Sequence, residues 1–190
     1  MEGKINIEKP FLVLFYGKFI PLQGIPYIVR AAKIIESRDP DIHFEIIGGG
    51  QTTDEVMDLV REINPKNITF IDSMPLEQLP LHISKADIML GIFGDRNKTK
   101  RVIPNKVCQS VAMAKPVISS DTPALRELFT DREDILFCKL ADPEDLAEKI
   151  FELKQDAPLR KKIAQGGYEI FKKHLSPEII GRNLKKALSF

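Results

Sequence analysis

Between residues 94 and 121 the chain reads GDRNKTKRVIPNKVCQSVAMAKPVISSD, and four cations, Arg96, Lys98, Lys100 and Arg101, fall within six positions. Like charges packed this closely repel one another unless an anion meets them. Pro104 then opens a helix expected over 105–114, whose N-terminal amides carry roughly half a positive charge. Arg101 is the cation closest to that helix start, and Arg96 and Lys98 read as solvated residues of a covering loop. Two further segments offer related chemistry. In YGKFIPLQG, Gly17 and Gly24 permit close backbone approach and a positive φ, with Lys18 between them. In IIGGGQTTDE, Gly48, Gly49 and Gly50 can form a backbone nest for an anion or let the chain pass beneath a ligand. Converging on one crevice, these loops specify a small, multiply anionic ligand such as a nucleoside diphosphate.

Other chemistries find less support. Neither GxGxxG nor a GKS/GKT phosphate loop is present, and no HExxH or paired-carboxylate arrangement argues for a metal or an acid/base pair. His43, His82 and His174 have no Ser or Cys partner at a strand-to-helix elbow. Cys108 and Cys138 give neither a disulfide framework nor a zinc motif and read as thiols of a reducing compartment.

The loops need a scaffold. FLVLFY (11–16), HFEII (43–47), ITFI (68–71), DIMLGI (87–92) and PVISS (116–120) read as strands buried on both faces, with a weaker run, ILFCKL (135–140), at the edge. Such continuous apolarity suits a parallel sheet covered by helices. Helical periods occupy 25–37, with Ile25, Ile28, Val29, Ala32 and Ile35 on one stripe, then 53–63, 75–85 and 105–114. Residues 52–55 supply a cap and acidic charge to the second of these, and three helices, 143–155, 158–173 and 176–188, close the chain. The alternation predicts an α/β fold: one doubly wound, Rossmann-like parallel sheet with helices on both faces. Ligands of such sheets bind outside the carboxyl ends of the strands, where strand order reverses, so the loops that matter are 17–24, 48–52, 72–75, 91–104 and 120–123.

The 190 residues suffice for one such domain, expected over 1–190. A formal charge of +1 gives no global field for nucleic acid or an anionic membrane, and no apolar run approaches the roughly 18 residues of a membrane span.

Taken in order, YGKFIPLQGIPYIVRAA, FEIIGGG, ITFIDSMPLEQLPLHISKADIML and VCQSVAMAKPVISSDTPALREL resemble the C-terminal, donor-binding half of retaining GT-B glycosyltransferases of the family 4, or group 1, type. The resemblance covers about residues 11–155. It implies a GT-B half-fold and transfer of a hexose-type sugar from a UDP- or GDP-sugar to a glycan or lipid-linked acceptor, as in polysaccharide biosynthesis. No cofactor or bound metal is expected. The acceptor half, with the catalytic residue, is expected on an N-terminal domain absent from this chain, so this domain alone would bind donor and transfer nothing. Localisation would be cytoplasmic, at the inner membrane surface where the missing domain or the acceptor brings it there.

The resemblance also implies a donor site. Lys18 takes the place of the family's first-loop arginine and Gln23 that of its lysine, with Gly17, Gly24 and Gly49 shaping the backbone. Ser73 and Met74 fall where the backbone commonly meets the base. The family's E-x7-E pair lands on Arg101 and Gln109, with Ile103, Pro104, Asn105 and Lys106 between them. A diphosphate cation is thus lost at Gln23 while a carboxylate becomes a cation at Arg101. The expectation is that Arg101, with Lys18, replaces the missing lysine, and that Gln109 still bonds ribose hydroxyls through its amide. Two other readings share the fold. One is half of a sugar-nucleotide epimerase. The other is a non-catalytic interaction module that docks through the stripe Ile179, Ile180, Leu184 and Leu188 of the last helix.

Overall fold

A computed structural model describes residues 9–188 of the chain. Six strands, β1 (Phe11–Tyr16), β2 (Ile42–Ile47), β3 (Ile68–Ile71), β4 (Ile88–Leu90), β5 (Val117–Ser120) and β6 (Leu136–Cys138), form one parallel sheet in the order β3-β2-β1-β4-β5-β6. The chain builds outward from β1 to β3, then crosses back to lay β4 on the other side of β1. Strand order therefore reverses between β1 and β4.

The helices are α1 (Ile25–Glu36), α2 (Thr53–Ile63), α3 (Leu79–Lys85), α4 (Asn105–Ala112), α5 (Pro123–Arg126), α6 (Pro143–Gln155), α7 (Ala157–Ile170) and α8 (Pro177–Leu188). They cover both faces of the sheet, and β1 shows why. Val13 and Phe15 point to the face under α1, α2 and α6, whereas Leu14 and Tyr16 point to the face under α3, α4 and α5. Val13 to Tyr16 thus alternate between two cores, which explains the unbroken apolar run of β1.

Several boundaries differ from the sequence expectation. Residues 76–78 form a 3-10 turn before α3, and α7 passes into a π-helical turn, Phe171–Leu175. The short α5, started by Pro123 and capped by Thr122, whose hydroxyl accepts from the Leu125 amide, carries too few residues to show a helical period. The cap proposed for α2 is also different. The Thr52 side chain makes no capping bond, and the Thr53 hydroxyl instead ties back to Gly50.

Both β3 and β6 are edges, with opposite character. β6 is buried because α6 covers one of its faces and Leu125 and Phe129 the other. β3, expected to be buried on both faces, is partly exposed, with Thr69 open to solvent. At the far end, α8 buries none of its residues, and Ile180, Leu184 and Leu188 are 52%, 58% and 65% exposed.

Candidate functional site

The reversal between β1 and β4 brings the loop after β1 and the start of α4 to one crevice. Backbone bonds clamp that first loop on both sides. Phe19 N–H donates to Gly49 O at 3.0 Å and Thr52 N–H to Phe19 O at 2.9 Å, while Phe93 N–H donates to Gln23 O at 3.0 Å and Gly94 N–H to Leu22 O at 3.2 Å. Glycine is required at the closest approach. Gly24 has φ 70, and a Cβ there would sit 2.4 Å from Gly94 N.

The triple glycine serves packing more than anion binding. The Gly48 amide is spent on Ile71 O and the Gly50 amide on Thr53 Oγ1. A Cβ on Gly48 would lie 2.0 Å from Gly17 O, so the missing side chain lets the second loop pass against the first. This close passage is against the first loop, a packing role not among those read from the sequence.

Lys106, in the first turn of α4, reaches beneath the first loop. Its residue is only 6% exposed. Nζ donates to Gln23 Oε1 at 2.6 Å and lies 3.5 Å from the centroid of the Phe15 ring. A Cβ on Gly17 would stand 2.9 Å from the same nitrogen, so glycine at 17 makes room for the amine. Burial holds this amine well below the ordinary lysine range. The Gln23 position, where a family lysine is expected, is therefore met by a lysine from the opposite side of the crevice. Arg101 is exposed, at the end of the 3-10 turn Thr99–Arg101, so the cation that reaches Gln23 is Lys106.

A second tie joins the same elements. The Tyr16 hydroxyl, at the carboxyl end of β1, donates to Gln109 Oε1 at 2.8 Å and also faces the Lys106 carbonyl at 3.4 Å. Burial raises the phenol pKa, so the group stays protonated and remains a donor. Tyr16 takes one lone pair of the Gln109 amide oxygen, which leaves its second lone pair and the NH2 to meet a ligand. Tyr16 is absent from the residues the sequence singles out. The available signal is a phenol in the last position of an otherwise aliphatic and Phe strand, since a buried tyrosine hydroxyl needs a partner.

Two adjoining clefts open from this point. One, of about 380 Å³, is lined by Gly17, Lys18, Gly48, Ser73 and Met74 among others. The other, of about 220 Å³, runs past Gln109 and Met113, and the two share Tyr16, Leu76 and Leu79. Gly17, Lys18, Ser73, Met74 and Gln109 thus line one continuous hollow, with Gln23 and Lys106 behind its wall at Gly17. Pro104 is the N-cap of α4 and Asn105 its first residue, exposed, while Ile103 packs on the core beneath. Gly24 and Gly49 hold the loops together rather than face the hollow. Arg96 is exposed and pairs with Asp95 at 3.8 Å.

Acid/base candidates lie elsewhere. His82 Nδ1 faces Glu45 at 3.2 Å and His43 Nε2 faces Thr69 Oγ1 at 2.8 Å, and neither histidine lines the two clefts. Cys138 is buried and its thiol is pushed upward by burial. Among the described residues no three His, Cys, Asp or Glu side chains converge as a metal site, and no helix is long and apolar enough to cross a membrane.

Against known proteins, the family model described as glycosyl transferases group 1 matches residues 2–170. An uncharacterized glycosyltransferase of Methanocaldococcus jannaschii is 27% identical over 172 residues, which is 90% of this chain and 45% of that protein. The chain thus spans about half the length of the curated relatives it matches. Among solved structures, HepE of Anabaena in complex with UDP and glucose superposes with a TM-score of 0.83 at 14% identity, over 95% of this chain and 48% of that one. The C-terminal domain of a group 1 glycosyl transferase, LpcC, from Francisella tularensis gives 0.75 at 21% identity, over 87% and 86%. The shared sheet, the crevice at its switch point and the match across most of its length agree: this chain belongs to the group 1 glycosyltransferases.

Proposed function

We propose that the chain is the nucleotide-sugar donor-binding domain of a retaining glycosyltransferase that moves a hexose-type sugar from a UDP- or GDP-sugar to a glycan or lipid-linked acceptor. The observation that carries the reading is the meeting of Lys106, Gln23 and Gly17 at the point where strand order reverses. It sets a buried amine of the first turn of α4 just behind the wall at Gly17, where its charge acts on an anion held against that wall.

In this reading the diphosphate lies over the first loop, where Lys18, Lys106 and the α4 amides neutralise the charge that grows on the leaving nucleoside diphosphate. The Gln109 amide meets the ribose, and the base enters the hollow beside Ser73 and Met74. These amines and amides take the part a metal ion takes elsewhere, so binding is independent of magnesium. The acceptor and its catalytic group belong to a second domain outside these residues, and the domain by itself transfers nothing. The exposed stripe of α8 suits contact with that domain.

Amide NMR mapping tests the reading. One of UDP, GDP or ADP should shift the amides of residues 17–24, 73–74 and 105–109 as a set, leaving α8 unmoved. Shifts elsewhere, or none with any of the three, overturn it.

A further inference from the structure

Lys106 is an ionisable amine to which none of the described residues brings a counter-charge. Its hydrogen bond goes to a neutral amide oxygen, Gln23 Oε1, at 2.6 Å, and its other neighbours are the Phe15 ring and the backbone of Gly17. The ionisable groups packed nearby do not help. The Tyr16 hydroxyl of β1 faces the Lys106 carbonyl rather than its amine, and burial favours the neutral phenol. Cys108, two positions along α4, is likewise kept protonated by burial. Lys18, in the first loop, is another cation. Among the described residues no carboxylate bonds to the amine. A ring face and an amide oxygen favour the ammonium form, but burial opposes it and prevails.

We propose that the diphosphate of the bound ligand supplies the missing counter-charge, so that Lys106 takes up a proton from solvent as the ligand binds and returns it when the nucleotide leaves. The proposal rests on the reading of this crevice as a nucleotide-sugar site. The step is a plain protonation: the lone pair of Nζ accepts a proton from water or buffer, and no other bond changes. It follows the charge of the reaction. A nucleotide sugar carries two negative charges on its diphosphate and the released nucleoside diphosphate carries up to a third, so the ammonium is best matched to the leaving group.

Two measurements test this on the chain as it exists. In protein carrying carbon-13 at lysine Cε, with the Lys106→Met variant used for assignment, Lys106 should titrate well below the remaining lysines. Co-titration with them would overturn the proposal whatever the crevice binds. Calorimetric titrations with UDP-glucose, GDP-mannose and ADP-glucose then use HEPES and Tris at about pH 8. Diphosphates esterified at both ends have no proton of their own to exchange near neutrality. Binding heat that changes with buffer, reporting uptake of up to one proton that vanishes in Lys106→Met, supports the proposal. Binding with the same heat in both buffers, or uptake that survives in Lys106→Met, overturns it and leaves the donor-site reading standing. Failure of all three sugars to bind overturns both.

Discussion

Lys106 Nζ lies 2.6 Å from Gln23 Oε1, so one hydrogen bond joins the first turn of α4 to the loop after β1 and closes the floor of the crevice. The amine stands behind Gly17, the wall against which the anionic ligand is proposed to bind, and it comes from a different element than the sequence pattern suggests. Which cation matters is therefore an experimental question with two named answers.

Lys106→Met should weaken binding of the preferred nucleoside diphosphate at least tenfold, the loss of one charge-assisted hydrogen bond of ~1.5 kcal/mol or more. Arg101→Ala, at an exposed turn, should change affinity less than about threefold, in the range of solvent-screened charges. Titration calorimetry of both variants decides, and the reverse order would return the role to Arg101.

Exchanging the two partners gives a sharper test. Gln23→Lys alone puts two amines at hydrogen-bond distance without a counter-charge and should lower stability by about 1 kcal/mol or more. Gln23→Lys combined with Lys106→Gln restores one amine and one amide in the same contact. The double variant should bind within about threefold of the parent, far better than Lys106→Gln alone.

Tyr16→Phe removes the donor to Gln109 Oε1 and should cost about 1 kcal/mol of stability in urea denaturation. Gln109→Ala should show little additional loss in the Tyr16→Phe background. Full additivity of the two would mean that the bond contributes nothing.

Glycine substitutions should separate by geometry. Gly24→Ala places a methyl 2.4 Å from Gly94 N at a φ of 70, between two bonded loops, and should cost more than about 2 kcal/mol. Gly181→Ala, in α8 with open space about it, should instead slow amide exchange of that helix, in line with a gain of up to about 1 kcal/mol.

Lys106 also sets a pH dependence. Its folded pKa lies below the ordinary lysine value of 10.5, so between the two the unfolded chain binds a proton that the folded one lacks. Stability should therefore rise with pH across that window, and its penalty is fully present below the folded pKa. Lys106→Met should lack this rise and be the more stable protein near neutral pH. A parallel pH profile for parent and variant would show that the buried amine carries no such penalty.

How much of the fold and the crevice is legible in the sequence depends on the kind of interaction. The strand runs set the sheet because each residue of β1 alternates between two cores, which leaves an unbroken apolar signature. The loops at the strand ends follow from topology, so Lys18, Ser73, Met74 and Gln109 group together from their positions along the chain. What pattern does not supply is the pairing across the crevice. Lys106 and Gln23 are 83 positions apart and Tyr16 and Gln109 are 93 apart, and side-chain reach between distant elements leaves no local period. Charge density misleads for the same reason. The exposed cluster of Arg96, Lys98, Lys100 and Arg101 is conspicuous in sequence, whereas the single amine that turns inward follows it by five residues.

Thermal unfolding of the purified chain against UDP, GDP and ADP, each with and without magnesium, decides whether this crevice takes a nucleotide. A ligand at about 100 times its dissociation constant stabilises by roughly 2.7 kcal/mol, a shift of several degrees for a domain of this size. Such a shift is expected with one nucleoside diphosphate, the same without magnesium, and in Lys106→Met about half as large or smaller, since tenfold weaker binding leaves roughly 1.4 kcal/mol. No shift with any of the three, or a shift that Lys106→Met leaves intact, would overturn the donor-site reading built on Lys106.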